Sequence, residues 1–147
     1  MIVDDHHGLG AVLGAAAGTP GSPTYLDARI PSIMHLRLVS ALLKPTGGRM
    51  SRQLLAVARD PSHRAALIDL VASPREGTLA VLDDRPLAAA IGGLTAEPGV
   101  SLAFAALIAH AQSSGQPILV ASANEGRWME VARRRGVEVV ARVPGIS

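Results

Sequence analysis

The chain has 147 residues, with 14 Lys and Arg against 12 Asp and Glu, 48% hydrophobic residues and no cysteine. That length suits one domain with its own core, and the lack of cysteine excludes disulfides and thiolate metal sites. Mean hydropathy is +0.30, yet the longest mostly apolar stretch, "VSLAFAALIAHA" at 100–111, is shorter than the roughly 20 residues that span a bilayer. Asp4 and Asp5 fall where a signal peptide needs apolar residues, so a cytoplasmic protein without a membrane segment is expected.

In chain order, "MIVD" reads as a short buried strand at 1–4, and "GTPGSP" at 18–23 as a turn-rich loop. Pro31 opens a helical pattern, "PSIMHLRLVSALLK", in which Ile33, Leu36, Val39, Leu42 and Leu43 recur at helical spacing before "PTGG" ends it. Ser51 is expected to cap a second helix through Ala58, and Asp60 or Ser62 a third over "DPSHRAALIDLVASP". "TLAVL" predicts a strand at 78–82, "DDRP" opens a helix over 86–95, and Ser101 caps an alanine-rich helix to Ser113. The last third reads as a strand at 117–121, a helix over 126–135 with Trp128, Val131 and Ala132 facing inward, a stop at Gly136, and a strand at 137–141. Glu130 lies four residues before Arg134, a spacing that favours an ion pair. Strands separated by helices imply a single α/β domain with a mainly parallel sheet.

Parallel sheets hold ligands beyond the carboxyl ends of their strands. Three predicted strands end in polar residues: Asp4 and Asp5, Asp83 and Asp84, and Ser122 with Asn124. Each place also suits a helix cap, so position alone does not separate chemistry from capping. "RRR" at 133–135, with Arg127 and Arg142, forms the densest basic cluster, fit either for phosphate or for a solvated helix face. Tyr25, Phe104 and Trp128 are the only aromatic residues, too few for a platform that stacks bases. His6 and His7 adjoin the aspartates, but no serine stands in a nucleophile motif; His35 and His110 lie in apolar helical stretches and read as half-buried.

"IVDDH" resembles the opening of phosphoacceptor receiver domains and also that of PIN-domain ribonucleases. A receiver needs a mid-chain strand-end aspartate and a late lysine, whereas positions 51–60 read as a helix and Lys44 is the sole lysine. The PIN resemblance covers nearly the whole chain. "MIVDDHH" resembles the first strand and its aspartate; "PSIMHLRLVSALLKPTGGRMS" resembles the P-x-x-x-x-x-E-x-x-x-x-L helix, with Pro31 and Leu42 in register; and "SLAFAALIAHAQSSGQPILVASANEGRWMEVARRRGVEVV" resembles the closing helix, strand, helix and strand.

This resemblance implies a single three-layer PIN-like α/β domain over 1–147. It also implies an acidic cluster that holds a divalent metal to activate water against RNA phosphate. Asp4 matches the first acid, and Asp5 falls where serine or threonine is common. The helix glutamate falls on Arg37, the "DA" aspartate near Phe104, and the strand-end aspartate at Ala123 or Asn124. The expectation is therefore a degenerate, non-catalytic binding or regulatory module for RNA or a protein partner, without a cofactor. Asp4, Asp5 and Asn124 would stand at its centre, with Arg37, Ser122 and Arg127 as substrate contacts. The alternative is an active toxin–antitoxin ribonuclease with magnesium or manganese on Asp4, aided by Asp5 and by Asp83 or Asp84, and paired with an antitoxin-like protein. PIN relatives are commonly dimers, and alanine-rich faces such as "SLAFAALIAHA" suggest apolar surface to spare, so a homodimer is expected. Arg37 is expected to face the two aspartates as their counter-charge, the alternative being a side chain that snorkels to solvent.

Overall fold

The computed structural model describes residues 1–16, 25–44 and 48–144. The loop expected at 18–23 and most of the "PTGG" terminator lie outside these residues. Five parallel strands, β1 (Ile2–Val3), β2 (Arg29–Pro31), β3 (Ala80–Leu82), β4 (Ile118–Val120) and β5 (Val139–Ala141), form one sheet in the order β3-β2-β1-β4-β5. Seven α-helices connect them among the described residues: α1 (Asp5–Ala16), α2 (Ser32–Leu43), α3 (Arg49–Val57), α4 (Pro61–Ala72), α5 (Ala88–Leu94), α6 (Leu102–Ser114) and α7 (Trp128–Arg134). The result is the expected three-layer α/β architecture.

The central strands read as continuous apolar runs because both sheet faces are covered: β1 and β4 are fully buried. Helices α1 and α6 each pack on β1, β2 and β4, while α2 touches both helices. Gly8 lets α1 approach the sheet, since a Cβ there would meet Ile30 Cδ1 at 3.0 Å. Helix α6 ends at Gly115 in the left-handed conformation, φ 69°, where glycine carries no Cβ penalty.

Several local expectations are corrected. Pro31 is the N-cap of α2, as its place at the helix start implied, but it also ends β2, a strand absent from the sequence reading, and pairs with Leu82. Three residues leave no periodicity, and a proline argues against an interior strand. Ser51 is buried inside α3, whose N-cap is Gly48. Asp60, not Ser62, caps α4 by accepting the His63 N–H at 2.7 Å. The helix over 86–95 divides into a 3-10 turn at Arg85–Leu87 and α5. Arg134 pairs with Glu97 at 3.6 Å rather than with Glu130, tying α7 to the turn after α5. Most of helix α6 is buried: Ala103 and Ala105–Ala111 pack among α2, α5, α7 and the sheet, while Leu102 at its start is exposed. Its alanines serve close packing within the chain, so they do not support the expected homodimer.

Candidate functional site

Strand β1 carries Asp4 into the crevice between β1 and β4, where the strand order reverses. That is the switch point at which open parallel sheets place ligands. The Asp4 N–H still bonds to Leu119 O at 3.1 Å, so the residue leaves the sheet in register. Its Oδ1 accepts the His7 N–H at 2.9 Å, capping α1. Its Oδ2 accepts the Ala121 N–H and Asn124 Nδ2, both at 2.8 Å. Asp4 is therefore both a helix cap and the centre of a cluster.

Asp5 lies beside it. Oδ1 accepts the His6 N–H at 3.0 Å and the same Asn124 Nδ2 at 2.7 Å. One side-chain amide, with its two hydrogens, thus bridges two carboxylates. Both aspartates have 0% exposure. Burial raises the Asp4 pKa above its ordinary 3.8; hydrogen bonds from Ala121, His7 and Asn124 oppose the rise, and the like charge of Asp5 adds to it.

Helix α2 brings Arg37 over this pair. Its Nε lies 3.2 Å from Asp5 Oδ2, and Nη2 donates to Asn124 Oδ1 at 3.2 Å. Asp5 Oδ2 accepts no hydrogen bond, so the guanidinium meets it as a nearby charge and not as an aligned donor. On its other side the guanidinium carbon sits 5.2 Å from the centre of the Phe104 ring, a cation–π distance. Phe104 stacks on Trp128 at 4.9 Å with the rings within 3° of parallel. Trp128 Nε1 in turn donates to the Asn124 carbonyl at 2.7 Å. Positions 4, 37, 104 and 124, taken from four separate elements, thus form one connected cluster.

No family model and no curated protein matches this chain.

Other strand-end residues divide differently. Asp84 does not cap its own helix. Its Oδ2 accepts the Ile33 N–H at 2.8 Å, capping α2 from a distant strand, and its Oδ1 accepts His110 Nε2 at 2.6 Å. His110 is accordingly buried as a hydrogen-bond partner of Asp84, and not half-buried as expected. Asp83 is spent on Arg85, whose backbone N–H and side chain it accepts. Ser122 and Arg127 are exposed, and neither side chain bonds to the aspartate cluster. Asn124 is no helix cap, because α7 starts at Trp128 and the Asn124 side chain turns inward. The arginines at 133–135 lie on a solvated face. His7 is fully buried, with Nε2–H donating to Arg142 O at 3.0 Å and Nδ1 at 2.9 Å from Tyr25 Oη.

The sequence reading missed the Arg37–Phe104–Trp128 stack and the Asp84–His110 bridge. Two of only three aromatic residues belong to that stack, a bias visible in composition but uninformative without the fold.

The cluster fits a divalent cation poorly. Magnesium is bound through carboxylate oxygens free to face it, whereas every oxygen of Asp4 and one of Asp5 already accepts N–H donors, and the other lies under a fixed cation. Among the described residues no group of three or more His, Asp or Glu is placed to hold a metal ion.

Proposed function

We propose that this is a PIN-like domain in which a guanidinium and a carboxamide stand in for the metal centre, and that it serves as a non-catalytic binding module for an RNA or protein partner. The observation that carries this reading is Arg37 seated on Asp5 while Asn124 bridges both aspartates. Its support is twofold. The positions that the PIN resemblance aligns with acids lie together at the switch point, and only the first retains its acid. The donors around Asp4 and Asp5 use those carboxylates structurally, which removes the oxygens a nucleophilic water or metal would need. The ribonuclease alternative would need the oxygens of Asp4 and Asp5 free, and the further acids it could draw on, Asp83 and Asp84, serve Arg85, His110 and α2.

A thermal-denaturation series with manganese tests the reading. No millimolar-range stabilisation of the wild type is expected, together with no metal-dependent cleavage of single-stranded RNA. A clear rise of Tm with manganese would overturn it, because a bound ion stabilises the native state by mass action.

A further inference from the structure

We propose that the exposed faces of α2 and α3 dock an acidic, amphipathic segment of a partner protein. This deepens the binding-module reading by naming the partner's chemistry, and it rests on that reading only in requiring a binding role. The first observation is charge segregation. Residues 28–59 contain Arg29, Arg37, Lys44, Arg49, Arg52 and Arg59 and no acidic residue, so the rest of the chain holds eight of the 14 basic residues and all 12 acidic ones. Arg37 is engaged with Asp5, but among the described residues Lys44, Arg49 and Arg52 have no ion-pair partner and are exposed. Unneutralised like charges on neighbouring helices cost self-repulsion and attract a partner of opposite sign.

The second observation decides which kind of polyanion fits. Leu36, Leu43 and Leu55 are exposed by 63%, 64% and 55% on the same two helices, which pack against each other. On α2 they recur with Ser40 along one exposed stripe; on α3 the stripe runs Arg49, Arg52, Leu55 and Ala56. Helix α3 buries Ser51 and Leu54 and rests Met50 and Val57 against the core, which leaves Leu55, Arg49 and Arg52 facing outward. A nucleic-acid backbone is satisfied by the cations and gains little from the leucines. An amphipathic helix with leucines on one face and carboxylates beside them meets both. The chain's scarcity of aromatic residues points the same way, since RNA readers rely on stacking.

The test is fluorescence anisotropy with a labelled amphipathic peptide carrying leucines at i, i+3 and i+7 and glutamates at its other positions. Three controls accompany it: the glutamine-for-glutamate peptide, the serine-for-leucine peptide, and an oligouridylate. The glutamate–leucine peptide should bind, and either substitution in it should weaken binding at least about tenfold, or about 1.4 kcal/mol. Raising salt should weaken it too. The exposed-site double variant Arg49→Glu with Arg52→Glu should lose binding to the same extent, and Leu36→Ser with Leu55→Ser should do so without changing the salt dependence. Failure of the peptide to bind would overturn the proposal, as would binding unchanged by Arg49→Glu with Arg52→Glu. Tighter binding of oligouridylate would overturn it in favour of RNA. A dimer seen by light scattering that this charge-reversed variant dissociates would assign the face to a second copy instead. The manganese response of the wild type is independent of all these outcomes, so the two readings fail separately.

Discussion

Arg37 Nε stands 3.2 Å from Asp5 Oδ2, a buried carboxylate oxygen that no hydrogen bond reaches. The guanidinium pairs with Asp5, while Asp4 beside it is held by N–H donors. At about 4 Å and an effective dielectric of about 20, one such interaction is on the order of 4 kcal/mol before desolvation. The exposed side of Arg37, 43% of its side chain, reduces that through solvent screening. Arg37→Ala should therefore destabilise the fold by roughly 1–3 kcal/mol, below the full cost of breaking a buried pair. Urea denaturation measures it, and an unchanged midpoint would show that Asp5 does not depend on the guanidinium.

Asn124→Asp replaces the bridging donor with a third carboxylate against Asp4 and Asp5. The loss should reach about 3–5 kcal/mol at neutral pH and shrink at acidic pH as the added carboxylate repulsion is relieved. Asn124→Ala removes the two bonds to the aspartates and the one accepted from Arg37 without adding charge, so its loss should depend on pH much less. Denaturation of both variants at the two pH values separates charge from lost hydrogen bonding; parallel losses would contradict the electrostatic account.

Because burial raises the Asp4 pKa above 3.8, the folded state holds that proton more tightly than the unfolded chain does. The stabilisation from this group is complete below the ordinary value and is lost as pH rises through the raised one. Carboxyl-carbon NMR of Asp4 should show titration above 3.8, and Asp5→Asn should bring the value down by removing a like charge. A titration at or below the ordinary value would refute this.

Trp128 is the sole tryptophan, so its fluorescence reports directly on the cluster. Trp128→Phe removes the Nε1 donor from the buried Asn124 carbonyl and should cost about 1–3 kcal/mol. With Trp128 retained, Arg37→Ala should alter the emission through Phe104, which lies between the two side chains. Identical spectra would disconnect the stack from the guanidinium.

Asp84→Ala removes a cap from α2 and the partner of His110 together. Loss of a cap alone costs about 0.5–2 kcal/mol, and the orphaned His110 adds to it. Asp83→Ala, on an exposed turn, should leave the denaturation midpoint nearly unchanged. Comparable losses in the two variants would show that the bridge from β3 to α2 carries no stability.

The sequence alone determined the types of most elements, the parallel arrangement and the strand tips as the place of interest. Apolar runs and helical periodicity are local signals that survive without tertiary information, so β1, β4, α6 and α7 were legible to within a few residues. The expectation that Arg37 faces the aspartates came from the register of the PIN resemblance, and the guanidinium does lie against Asp5. The tertiary structure alone decided who bonds to whom. β2 was invisible because three residues carry no period, and its pairing with β3 depends on the sheet around it. Asp84 looks like a cap for the helix beside it in sequence, yet it caps α2, 51 residues away from its partner Ile33. Asn124 likewise faces the Asp4 carboxylate across 120 residues. A polar side chain takes the nearest donor or acceptor in space, and only folding makes those neighbours.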